Sequence, residues 1–242
     1  MGENRGQDMF GIKKRIQSKQ NRLRQLFTDT QALVKLTPLD LEYVPWTTYA
    51  VKPTVMTQIV NDIVINDRRN IVEFGCGIST VHLAKLAQQR AFLEGKATTV
   101  TSIEDDADWA EVVRGMLRER NLENYAKIVV APLKSCSFSV DELEWYDEER
   151  VTEALAGLNQ IDLVFVDGPK ACDKDKGLAR FPALQAVWSR LGSKCAIILD
   201  DIARPGEQRV LELWRNEPSF DLKVSNSGLC AVCHRGSFFV IW

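Results

Sequence analysis

The stretch from Asn70 to Leu83, NIVEFGCGISTVHL, constrains this chain more than any other. An extended apolar run, Ile71 to Phe74, meets Gly75-Cys76-Gly77, and helix-type spacing begins at Ser79. A strand that turns abruptly into a helix needs residues without a Cβ at the turn, and glycine there also lets a ligand approach the backbone. Ser79 or Thr80 is expected to cap the helix, whose free N–H groups and positive dipole end face the turn. Such a turn suits a nucleotide-like ligand. The dinucleotide fingerprint requires a third glycine, however, and Thr80 stands in its place. What the stretch has instead is an acid, Glu73, two residues before the first glycine.

The 242 residues suffice for one large α/β domain with a small extension. At 45% hydrophobic and 26% charged, the composition argues against a largely disordered chain. A net charge of -2 gives no general attraction for nucleic acid. No apolar run approaches the roughly 20 residues of a membrane span, and the N-terminus lacks the apolar core of a secretory signal. The expected location is the cytoplasm, where the six cysteines would remain thiols. Cys230-Ala231-Val232-Cys233-His234 has the spacing of a c-type haem attachment site. That attachment belongs to exported proteins, and the segment alternates like a strand, so both cysteines are read as strand residues.

Residues 8 to 36 read as a basic helix with a loose apolar stripe (Phe10, Ile12, Ile16, Leu23, Leu26, Phe27, Leu33, Leu36). It is expected to pack on the domain as an accessory helix. Membrane-surface contact, nucleic-acid contact and homodimerisation remain open to it. Residues 1–53 form this extension together with an irregular aromatic segment, Leu41 to Pro53, and residues 54–242 form the main domain. Trp46 and Tyr49 in that segment either reach the ligand site or pack a connector.

After a helix at Thr54 to Asn66, the chain alternates strands and helices. The second strand, Ala97 to Ile103, ends in Glu104-Asp105-Asp106. An acid at that tip either grips a ribose diol or caps the next helix. The third strand, Tyr125 to Ala131, precedes Pro132-Leu133. Cys136 to Asn159 is longer and more polar than a crossover needs, and is read as an insertion at the site's rim. Ile161 to Val166 is a near-continuous apolar run, as for a central parallel strand buried on both faces. It stops at Asp167-Gly168-Pro169-Lys170. A helix is expected from Leu178 to Leu191, ended by Gly192, and the fifth strand, Cys195 to Leu199, ends in Asp200-Asp201. Arg204-Pro205-Gly206 opens the last helix. Asp221 to Val224 and Leu229 to His234 form a terminal hairpin around Ser225 to Gly228, and Phe238 to Trp242 is a final apolar segment.

E-x-G-x-G-x-S-T at Glu73 to Thr80, V-D-G-P at Val166 to Pro169 and the D-D pair at Asp200-Asp201 resemble motifs of the class I S-adenosylmethionine-dependent methyltransferases, over roughly Val51 to His234. The resemblance implies a doubly wound, mostly parallel seven-stranded Rossmann-like sheet with an antiparallel last strand. It implies S-adenosylmethionine bound by Glu73, Gly75, Cys76, Gly77, Ser79, Thr80, Glu104, Asp105, Leu133 and Asp167. Phe165 to Lys170 is also similar to a stretch of the cation-dependent O-methyltransferases, which implies Mg²⁺ or another divalent cation on Asp167, Asp200 and Asp201. The alternative for these acids is to face the cofactor or cap helices. The same resemblance gives Asp167 and Lys170 catalytic roles, and places Trp46, Tyr49, Asp201 and Arg204 beside a small-molecule or sugar acceptor. The competing functions are an NAD(P)-dependent oxidoreductase, an RNA or protein methyltransferase, and a scaffold that has kept the fold.

Overall fold

The computed structural model describes residues 3–39, 43–158, 160–173, 175–217, 223–226 and 228–236. Leu41, Asn159, Asp221, Ser227 and the segment Phe238 to Trp242 lie outside the described residues, as do the side chains of Phe10 and Ile12.

The strands of the main sheet are β1 (Asn70–Phe74), β2 (Thr99–Glu104), β3 (Ala126–Val130), β6 (Ile161–Val166), β7 (Leu191–Leu199), β8 (Lys223–Asn226) and β9 (Ala231–Arg235). Their spatial order is β3-β2-β1-β6-β7-β9-β8. All neighbours run parallel except β9, which is antiparallel to both β7 and β8. The sheet is thus the expected seven-stranded, mostly parallel one with a terminal hairpin. Between β3 and β6 the chain inserts a two-stranded ribbon, β4 (Leu133–Ser135) with β5 (Glu144–Tyr146), and helix α5 (Glu148–Leu155).

Period-two alternation divides the sheet's side chains between two core layers. Ile71, Leu163, Phe165, Ala196 and Ile198 enter one layer, while Val72, Val164, Val166, Ile197 and Leu199 enter the other. Helices α2 (Pro53–Ile65), α3 (Ile78–Glu94) and α4 (Ala107–Glu119) cover the first layer. Helix α5, α6 (Pro182–Val187) and α7 (Pro205–Asn216) cover the second. Alternation also separates the haem-like cysteines: Cys230 faces the first layer and Cys233 the second, both fully buried. Two thiols on opposite faces cannot hold one macrocycle.

Helix α1 runs from Glu3–Leu36, a turn longer than the apolar stripe suggests. Ala32 and Leu36 are buried, and Asp29 accepts hydrogen bonds from the Thr54 hydroxyl (2.6 Å) and N–H (3.3 Å) at the start of α2. Ile16, Leu23, Leu26 and Phe27 are more than half exposed and Leu33 is exposed too, so among the described residues of the stripe only Leu36 is buried. No helix among the described residues is long and apolar enough to cross a membrane.

Two local expectations are corrected. The helix expected over Leu178 to Leu191 is confined to α6 and a 3-10 turn at Trp188–Arg190, and Gly192 lies inside β7 rather than ending the helix. Neither Ser79 nor Thr80 caps α3. The cap is Gly77, and both residues lie in the first turn, buried.

Candidate functional site

The site lies at the carboxyl ends of β1, β2, β6 and β7, where the sheet order switches direction between β1 and β6. In open α/β sheets this switch point leaves a ligand crevice. The turn after β1 is built by Gly75 at φ +90°, a conformation that L side chains rarely adopt. A Cβ on Gly75 would also sit 3.1 Å from the Gly168 nitrogen, in the loop after β6. Gly77 differs. Its backbone is extended (φ 177°), and a Cβ there would meet nothing within 4 Å. Gly77 therefore borders open space, whereas Gly75 is held in a packed turn.

Glu104, at the tip of β2, fastens this turn from the other side. Its Oε2 accepts from the Cys76 N–H at 2.8 Å, and its Oε1 accepts from the N–H groups of Asp105 and Asp106, each at 3.0 Å. Glu104 is only 7% exposed, and burial raises its pKa above the ordinary carboxylate value against the pull of these N–H groups. It does not cap α4. Asp106 does, accepting from the Asp108 and Trp109 N–H groups at 2.9 Å. The Trp109 indole N–H in turn donates to the Cys76 carbonyl at 2.8 Å. Asp105 is half-buried beside them.

Glu73 lies entirely inside the protein. Its Oε2 accepts from the Thr80 hydroxyl at 2.5 Å and from the Ser102 hydroxyl, while Oε1 has no hydrogen bond. Thr80 Oγ1 also accepts from the Gly77 N–H at 3.0 Å, so the acid braces the helix start from beneath. Burial is the main cause that raises the Glu73 pKa to about 7.

At the ends of β6 and β7, Asp167, Asp200 and Asp201 come together, with one carboxylate oxygen of each within 4.8 Å of the others. Burial and mutual repulsion raise the pKa of both Asp167 and Asp200. The Lys52 ammonium, at the entry to α2, is close enough to pull Asp200 partly back. Asp201 has a positive φ of 57°.

A residue that sequence reasoning missed sits among these acids. Arg180, 3% exposed, contacts Asp167 Oδ1 (3.1 Å), Asp201 Oδ2 (3.4 Å) and the buried Glu207 Oε1 (3.6 Å). Arg204 pairs with Asp201 at 2.7 Å and with Glu207 at 3.4 Å. The distances between the three aspartates suit a divalent cation. The positive charge that such acids need is already delivered by Arg180.

The remaining predicted residues are more dispersed. Lys170 is two-thirds exposed and pairs with Asp173 at 3.7 Å, not with the aspartate cluster. Trp46 packs edge-on against His82 of α3, with ring centroids 5.4 Å apart, and Tyr49 is 89% exposed. Leu133 packs against the second core layer at the start of the ribbon. The ribbon also delivers Tyr146, another residue missed from sequence. Its hydroxyl is buried without a hydrogen-bond partner, against the Cα face of Gly168 and among the charges of Glu104, Asp105 and Arg180.

The sheet order, the glycine turn and the acid at the tip of β2 together define a Rossmann-like methyltransferase fold. The chain belongs to the family described as "Methyltransferase domain", whose model matches residues 72–202, over half of its length. Among solved structures, the SAH-bound methyltransferase PaMTH1 of Podospora anserina is similar at a TM-score of 0.62 and 11% identity, over 91% of this chain and 96% of that one. The O-methyltransferase of Bacillus cereus in complex with SAH is similar at 0.54 and 18% identity, over 87% and 90%. No curated protein matches the chain.

Proposed function

We propose that this protein is an S-adenosylmethionine-dependent methyltransferase that methylates an oxygen of a small-molecule or sugar acceptor. The family match supports the reaction class. Two proteins that share the fold over about nine-tenths of this chain hold SAH.

The observation that carries the reading is the position of Glu104. Its carboxylate is fixed at the switch point by three backbone N–H groups, and Oε2 accepts only one of them. A carboxylate oxygen has two lone pairs, and beyond the backbone N–H groups Glu104 meets the weak Cys76 thiol donor, which a ribose hydroxyl can displace. The open space at Gly77 allows a ligand to lie against the turn. On the other side, two guanidinium groups, Arg180 and Arg204, face four carboxylates, Asp167, Asp200, Asp201 and Glu207.

S-adenosylmethionine supplies a methyl group already activated by its sulfonium. The protein therefore has to align the acceptor, exclude water and receive a proton. Asp200, whose pKa burial raises to about 6, suits the receipt of that proton.

Calorimetric titration with S-adenosylmethionine, SAH and NAD, beside a Glu104→Ala variant, tests the proposal. Micromolar binding of the first two, weakened in the variant, is the expected result. Binding of NAD alone would replace the methyltransferase with an oxidoreductase. A radiolabelled methyl-transfer screen across phenols, catechols and sugars then identifies the acceptor class.

A further inference from the structure

Arg180 is the only arginine within ion-pair distance of Asp167 among the described residues, and it is almost entirely enclosed. Its Nη2 donates to the Asp167 carbonyl at 2.6 Å as well as to the carboxylate at 3.1 Å. Its Nε donates to the Pro169 carbonyl at 3.4 Å, and its Nη1 faces Asp201 and Glu207. One side chain from the entry to α6 thereby ties the loop after β6 to the loop after β7. A buried charge persists only where partners compensate it, and here every nitrogen of the guanidinium has one.

Magnesium and calcium accept a shell of oxygens at fixed distances. Asp167 and Asp201 each already give an oxygen to a guanidinium, which does not lose its proton in proteins. A cation between these aspartates would lie against that fixed positive charge. The spacing of the acids suits a divalent ion, but the charge that such an ion would supply is already supplied by Arg180.

We propose that Arg180 is the site's own cation, occupying the position that a divalent ion would take among Asp167, Asp200 and Asp201. It is a positioning residue: it neutralises the acids and sets the distance between the two loops that form the acceptor side of the crevice. The term "acceptor side" rests on the methyltransferase reading; the absence of divalent-ion uptake does not.

The test follows free Mn²⁺ by electron paramagnetic resonance in the wild type, Arg180→Met, Asp200→Asn and the double variant. The wild type is expected to leave millimolar Mn²⁺ free. Folded Arg180→Met is expected to bind Mn²⁺ at least about tenfold more tightly than the wild type, a gain lost again in the double variant. Micromolar Mn²⁺ binding by the wild type, abolished in Asp200→Asn, would overturn the proposal. So would a folded Arg180→Met, checked by circular dichroism, that binds no Mn²⁺. If that variant does not fold, the wild-type titration decides by itself. SAH binding by the wild type is measured in parallel without metal. Its failure would sink the methyltransferase reading and leave the Mn²⁺ result standing.

Discussion

The Glu104 carboxylate accepts the Cys76 N–H at 2.8 Å across 28 residues of sequence, and so locks the tip of β2 to the turn that follows β1. Glutamine cannot replace it. Its amide would point donors at N–H groups on one side or the other, because both carboxylate oxygens are acceptors in the structure. Glu104→Gln is expected to lose about 1–3 kcal/mol of stability, the cost of leaving a buried polar group unpaired. SAH binding should weaken at least about tenfold, because one hydroxyl acceptor goes with it. Thermal denaturation and calorimetry check the two effects separately.

Gly168 presses its Cα against the Tyr146 hydroxyl and against Gly75. A Cβ there would come within 2.2 Å of the hydroxyl and 2.9 Å of the Gly75 backbone. Gly168→Ala is expected to cost about 1–3 kcal/mol as an overpacking change. Tyr146→Phe removes the nearer obstacle but not the backbone, so the double variant should regain part of the loss. Urea denaturation of the four proteins of the cycle measures it. Full additivity would mean that the two residues do not meet.

Glu73 gives the fold a pH dependence. Its pKa in the folded protein is about 7, against an ordinary value of 4.5. A raised carboxyl stabilises most when both states are protonated, so its contribution is whole below about pH 4.5 and is lost as the pH rises through 7. Up to about 3 kcal/mol separates those limits for this group. Glu73→Gln should therefore narrow the stability difference between pH 5 and pH 8. An unchanged difference in denaturant titrations would show that this buried acid is not its source.

Thiol reactivity should be graded by burial. Cys172 is exposed and Cys136 half-exposed, while Cys76, Cys195, Cys230 and Cys233 are buried. Burial also pushes the Cys233 thiol up to about 12 and the Cys195 thiol up to about 11, so neither offers a thiolate at neutral pH. One fast thiol, one slower and four released by denaturant are expected with a chromogenic disulfide. Rapid native reaction of Cys230 and Cys233 would contradict their places in opposite core layers.

Much of the fold was legible in local pattern. The double-sided apolar run of β6, the glycine turn after β1 and the alternation at Ala231–Arg235 each appear in a few consecutive residues. Legibility failed where a partner comes from far along the chain. The motif acid Glu73 looks poised for a ligand, yet Ser102 and Thr80 claim it inside the sheet. Lys170 follows Asp167 closely in sequence, but its side chain turns outward to Asp173. Arg180 carries no motif and lies 13 residues beyond Asp167, so no spacing marks it as that residue's partner.

The sequence alone determined the strand–turn–helix order, the two-faced sheet and the acids at the strand ends, because periodicity and turn chemistry are written in neighbouring residues. Only the tertiary structure decided which acid is held at the crevice by backbone donors, which are sealed in the core and which cation faces them. Those properties depend on burial and on donors brought together by the sheet's crossovers, and neither exists until the chain has closed around them.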